Sequence, residues 1–136
     1  MESREHVIRQ FDAGRRKDYT FVVMTLGGSD LMRLKCTSRS PWSEHTIYRV
    51  AILALFAIKQ IHDVGFVHRD IKPGNLVTGF SGRDKRMLFL IDFGMIRAYV
   101  NKTANGQYKM RKPRKEVLLR GTPRYCSLNV HKRIEQ

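Results

Sequence analysis

A chain of 136 residues, 42% of them hydrophobic, can hold one modest domain with a core, and it shows no internal repeat or low-complexity linker. The longest apolar run, Val50 to Ile58, is nine residues, which excludes a bilayer-spanning helix, and the charged opening from Met1 to Gln10 reads against a secretory signal. Cys36 and Cys126 lack metal-ligand spacing and predict reduced thiols in a cytoplasmic protein, with the nucleus as a second location. In chain order, the first apolar segment is Phe21 to Leu26, which reads as a buried strand. The clearest helix follows. Ser43 suits its N-cap, Glu44 suits the positive end of its dipole, and Trp42 is placed to staple onto Ile47. Ile47, Val50, Ala51, Ala54, Ile58 and Ile61 recur at helical spacing as a core-facing stripe, and Gly65 ends the helix. Beyond it come a strand over Leu76-Val77-Thr78, a turn from Gly79 to Lys85, and a buried strand over Met87 to Ile91.

Chemistry concentrates at the ends of these strands. The stretch His68-Arg69-Asp70-Ile71-Lys72-Pro73-Gly74-Asn75 gathers a carboxylate, an ammonium and an amide, with four residues between Asp70 and Asn75. Asp92-Phe93-Gly94 follows with sixteen residues between Asn75 and Asp92, and the strand-turn-strand pattern brings those two residues close. Their amide and carboxylate oxygens suit magnesium. His62 and His68 read as structural.

The two motifs together resemble the catalytic loop and magnesium-binding segment of protein kinases. A third marker, Arg120-Gly121-Thr122-Pro123-Arg124-Tyr125-Cys126-Ser127-Leu128-Asn129, narrows the resemblance to the casein kinase 1 group, which has a serine–hydrophobic–asparagine segment where most kinases carry Ala-Pro-Glu. Within that group the chain looks closest to tau-tubulin kinases and the related kinases expanded in nematodes. Phe21 to Leu31 is similar to the family hinge, Ile61 to Val67 to the approach to the catalytic loop, and Asn129-Val130-His131 to the end of the activation segment. The likeness covers nearly the whole chain.

The resemblance implies an α+β, protein-kinase-like fold in partial form: the end of the N-lobe sheet, the hinge and the first part of the mainly helical C-lobe. Residues 1–27 would be a remnant of the N-lobe, two strands and hinge, and residues 28–136 a partial C-lobe with catalytic loop and activation segment. His6-Val7-Ile8 looks like the family's fourth strand and Tyr19 to Met24 its fifth. Residues 1 to 20 hold no Gly-x-Gly-x-x-Gly and no Val-Ala-Ile-Lys-like segment, so the chain reads as the middle of a kinase domain.

The implied activity is transfer of the ATP γ-phosphoryl group to Ser or Thr of proteins, with ATP and Mg2+ as cofactors. Asp70 and Lys72 would be catalytic, Asn75 and Asp92 would bind magnesium, and Thr122 would support Asp70 and Lys72. Adenine would sit against Met24, Thr25, Leu26 and Gly27, with Val77 and Ile91 as apolar surface. Gly27-Gly28 replaces the bulkier residues common there in relatives.

Charge leaves partners open. The chain has 26 Lys and Arg against 12 Asp and Glu, a formal net of +14, concentrated from Arg97 to Arg124 with Glu116 the only acid in that stretch. A solvated loop is one reading. Recognition of acidic or phosphorylated protein substrates is another, implied by the family, with Arg124 as the best anion contact. Nucleic-acid binding ranks last, since no aromatic platform accompanies the charge. Arg69 is expected to be a local charge partner. The alternative to an enzyme is an inactive pseudokinase or substrate-binding scaffold.

Overall fold

The structure, a computed structural model, describes residues 6–135. Strand-forming Phe21, Val22 and Val23 pair across a basic turn, which gives an antiparallel hairpin of β1 (Gln10–Arg15) and β2 (Thr20–Met24). The Arg16 N–H closes the turn by donating to the Tyr19 carbonyl at 2.7 Å. The strand expected over His6-Val7-Ile8 does not form there; the first strand begins at Gln10 instead. The reason is that this stretch runs beside Leu90, whose N–H donates to the His6 carbonyl at 3.0 Å, while Val7 makes a lone parallel bridge to Leu90. Nor is Phe21 to Leu26 buried. The hairpin is a sheet of its own, so Val22, Val23, Met24 and Leu26 are 46–66% exposed.

The second sheet frames the site. Its strands β3 (Gly27–Asp30), β5 (Leu76–Gly79) and β6 (Leu88–Leu90) lie in the order β3-β5-β6, all antiparallel. Between β3 and β5 the chain forms α1 (Leu31–Thr37), α2 (Glu44–Asp63) and β4 (Phe66–Val67). Asp30 caps α1 by accepting the Arg33 N–H at 2.9 Å, and Ser43 caps α2 by accepting the Thr46 N–H at 3.3 Å. Gly65, at φ +84°, ends α2 as expected and donates its N–H to the His62 carbonyl at 2.8 Å. Gly28 is a spacing residue: a Cβ there would stand 2.6 Å from the Gly79 carbonyl oxygen and 2.6 Å from Thr78 Oγ1. The paired glycines therefore let β3 close onto β5.

The core is Leu31, Ala57, Ile61, Leu76, Leu88 and Leu90, with Val50, Ala54 and Ile58 packed against it. The α2 stripe is thus shorter than its spacing suggests. Ile47 and Ala51 are exposed, while Ala57, outside the expected stripe, is fully buried, because the helix meets β6 through its C-terminal half. Tyr48, Ile52, Leu55 and Phe56 are 51–67% exposed on the same helix.

Downstream, β7 (Arg97–Ala98) pairs antiparallel with β4, and β8 (Val100–Lys102) forms an exposed hairpin with β9 (Tyr108–Met110). The last described helix is the short α3 (Leu128–His131). Among the described residues no helix is long and apolar enough to cross a membrane. Both cysteines are free thiols.

Candidate active site

The segment from His68 to Asn75 is held between the end of α2 and the β5–β6 pair. His68 is 2% exposed; its Nε2 lies 2.9 Å from the Ile91 carbonyl, and its Nδ1 accepts the Asp70 N–H at 3.3 Å. Phe93 packs edge-on against its ring. The imidazole ties the loop to the residue just after β6, a structural role of the kind expected from the sequence. His62 likewise serves by its carbonyl, which accepts from the Tyr99 hydroxyl at 2.8 Å.

Asp70 is the most densely bonded side chain here. Its Oδ2 accepts from Lys72 Nζ at 2.7 Å and from Asn75 Nδ2 at 3.1 Å. Its Oδ1 accepts from both the Thr122 N–H and the Thr122 hydroxyl at 2.9 Å. Lys72 Nζ also reaches Thr122 Oγ1 at 3.0 Å, so three side chains form a closed triangle. Burial alone would raise the Asp70 pKa; the hydrogen bonds from Lys72 and Thr122 outweigh it and bring the carboxyl down to about 2. The same bond raises the Lys72 pKa. A carboxylate of this acidity stays ionised at neutral pH and can accept a hydrogen bond from a hydroxyl.

Backbone geometry aims these groups. Arg69 and Asp92 take positive φ, +71° and +64°, a conformation that a non-glycine residue keeps only where its surroundings hold it. Gly121, at φ +99°, lies against the loop; a Cβ there would stand 2.7 Å from the Arg69 carbonyl oxygen. Only glycine lets Thr122 come this close to Asp70.

The two proposed magnesium ligands lie on neighbouring chain segments, since the Ile91 N–H donates to the Asn75 carbonyl at 3.0 Å. Asn75 is buried and spends its Nδ2 on Asp70, which leaves its oxygen end for a cation; Asp92 is exposed, with Oδ1 3.4 Å from the Gly94 N–H. Among the described residues no group of three or more His, Cys, Asp or Glu could hold a metal by itself. An amide and one carboxylate suit a hard cation that completes its shell with water and phosphate oxygens.

The expected adenine-binding residues are less gathered. Val77 is buried, and its Cγ2 lies 3.0 Å from where a Gly27 Cβ would be, so these two residues meet. Ile91 is half-buried beside Asn75. Met24 and Leu26 are 48% and 66% exposed, and the Thr25 N–H is used on the Arg9 carbonyl at 2.9 Å.

The basic segment is organised rather than wholly solvated. A cavity of about 310 Å³ is lined by Arg69, Arg97, Arg111, Arg114, Arg120 and Glu135, among others. Arg69 donates to the Met95 carbonyl at 2.5 Å and also interacts electrostatically with Glu135, which shares the cavity. Its pKa is lowered by burial and by Arg120, Arg97 and Arg114. Arg124 stands exposed on the turn Pro123–Tyr125, apart from that lining. Sequence reasoning missed Glu135, whose arginine partners lie 21 residues away or more and leave no local pattern.

Residues 1–130 match the model of the protein kinase domain. The chain belongs to the protein kinase family. A Caenorhabditis elegans protein named as a serine/threonine-protein kinase is 41% identical over 135 residues, 98% of this chain and 39% of that relative. Another from the same organism, named as a casein kinase I, is 34% identical over 139 residues, 100% of this chain and 39% of its own length. A Dictyostelium discoideum protein named as a serine/threonine-protein kinase is 33% identical over 127 residues, 93% of this chain and 25% of that protein. The chain therefore spans about two fifths of the length of the two nematode relatives. The protein-kinase-like fold in partial form, expected from the motifs, is the fold observed.

Proposed function

We propose that this chain is the catalytic core of a serine/threonine protein kinase of the casein kinase 1 type, tau-tubulin kinase-like, which transfers the ATP γ-phosphoryl group to Ser or Thr of acidic or phosphorylated proteins. The observation that carries this reading is the Asp70–Lys72–Thr122 triangle. It places a fixed carboxylate and a fixed ammonium together, the pairing that hydroxyl phosphorylation needs at the attacking and transferring atoms. The family's general use of ATP with magnesium supports the cofactors, and a nematode relative named as a casein kinase I supports the subgroup.

Asp70 accepts the hydrogen bond of the substrate hydroxyl and directs its oxygen. Lys72 stays protonated and faces the charge that moves during transfer. Thr122 holds both. Asn75 and Asp92 would hold magnesium, which draws charge off the phosphate oxygens when bound. At the hinge, with the Thr25 N–H engaged, contact with adenine falls to the backbone of Leu26 and Gly27, above buried Val77.

The test is a magnesium-ATP phosphorylation assay with acidic Ser/Thr peptides on the 136-residue chain and on Asp70→Asn. Transfer to Ser or Thr that disappears in Asp70→Asn supports the enzyme. No transfer, together with retained peptide binding, would establish the scaffold instead.

A further inference from the structure

Five arginines from separate parts of the chain converge on the cavity beside the catalytic loop. Arg69 comes from the loop, Arg97 from β7, and Arg111, Arg114 and Arg120 from the basic segment. Burial lowers the Arg69 pKa, and repulsion from Arg120, Arg97 and Arg114 lowers it further, while Glu135 opposes the shift. The carboxylate lining the cavity is that of Glu135, and its side chain is only 12% exposed. It accepts from the Arg114 backbone N–H at 2.6 Å, from Arg114 Nη2 at 2.9 Å and from Arg114 Nε at 3.2 Å. Arg97 Nε lies 3.4 Å from the same carboxylate. Close by, the Val117 N–H donates to the Arg133 carbonyl at 3.3 Å. Residues 114–117 are thus fastened to residues 133–135 a few positions before the chain reaches Thr122.

We propose that Glu135 is a built-in counter-anion that orders the activation segment, with its carboxylate doing among these arginines what an added phosphate group does in switchable kinases. It is a positioning residue: it touches neither substrate nor Asp70, and it acts by delivering Gly121 and Thr122 to the catalytic loop. Both modes satisfy clustered guanidinium groups with an oxyanion. The difference is that the Glu135 anion is permanent, so the segment is ordered without covalent modification. The consequence for catalysis rests on the kinase reading; the ordering itself does not.

Limited trypsin digestion of the 136-residue chain separates the two. Glu135→Gln should be cut between Lys109 and Arg120 roughly ten-fold faster, since a bidentate charged contact is lost. Cleavage in the β1–β2 hairpin at Arg15 to Lys17 should keep its wild-type rate. Glu135→Asp should retain most of the protection, and inorganic phosphate should slow digestion of Glu135→Gln while leaving the wild type unchanged. Wild-type rates in Glu135→Gln would overturn the proposal. So would faster cutting that neither Asp nor phosphate reverses, or an equal rise at the hairpin, which would mark general unfolding. A wild-type chain with no phosphoryl transfer would count against the kinase reading and leave the digestion result standing.

Discussion

Replacing Thr122 by valine would remove a hydroxyl that serves two charged groups at once. In the wild type it donates to Asp70 Oδ1 at 2.9 Å and accepts from Lys72 Nζ at 3.0 Å. Hydrogen bonds to charged groups contribute about 1.5–3 kcal/mol each, and the two share one oxygen, so they do not add. Asp70 keeps the Thr122 backbone N–H at 2.9 Å, Lys72 at 2.7 Å and Asn75 at 3.1 Å, which limits the loss to roughly 2 kcal/mol. Valine has nearly the volume of threonine, so the change is in polarity rather than packing. With a urea m-value of about 2 kcal/mol/M, the denaturation midpoint should fall by about 1 M. Thr122→Ser keeps the hydroxyl and should stay near the wild-type midpoint. If the triangle also positions the reacting groups, phosphoryl transfer should fall about 30-fold in the valine variant. An unchanged midpoint for valine, or a serine variant no better than valine, would refute the reasoning.

The folded Asp70 pKa of about 2 lies below its ordinary 3.8, so its stabilising contribution is complete above about pH 4 and is lost as the pH falls toward 2. After allowance for solvent at the open side of the site, this amounts to about 1–2 kcal/mol, and Asp70→Asn should flatten urea stability across that window. Leu90 is fully buried at the junction of β6, α2 and the backbone of His6; Leu90→Ala should cost about 2–5 kcal/mol in the same measurement, and a loss under about 1 kcal/mol would contradict the core as described.

What the sequence made legible was local. Asp70, Lys72 and Asn75 lie within one turn of backbone, so their spacing already dictates a shared cluster, and Ser43 and Gly65 mark the ends of α2 through contacts with residues three positions away. The misses all depend on distant neighbours. Helical periodicity marks which residues share a face, but only the place where α2 meets β6 decides that Ala57 is buried and Ile47 is not. The first strand was displaced to Gln10 because Leu90, far along the chain, engages His6 and Val7. Glu135 was invisible for the same reason: nothing next to it in the chain announces an arginine cluster.

The link between Thr122 and Asp70 spans 52 residues, and that separation governs when the site can exist. Closing so long a loop costs about 3–4 kcal/mol of chain entropy before any contact offsets it. The β8–β9 hairpin lies inside the span and shortens the free chain, so its early formation should hasten closure. During synthesis Asp70 leaves the ribosome long before its clamp does, and its carboxylate must wait, solvated and unpositioned, until Thr122 has followed it out.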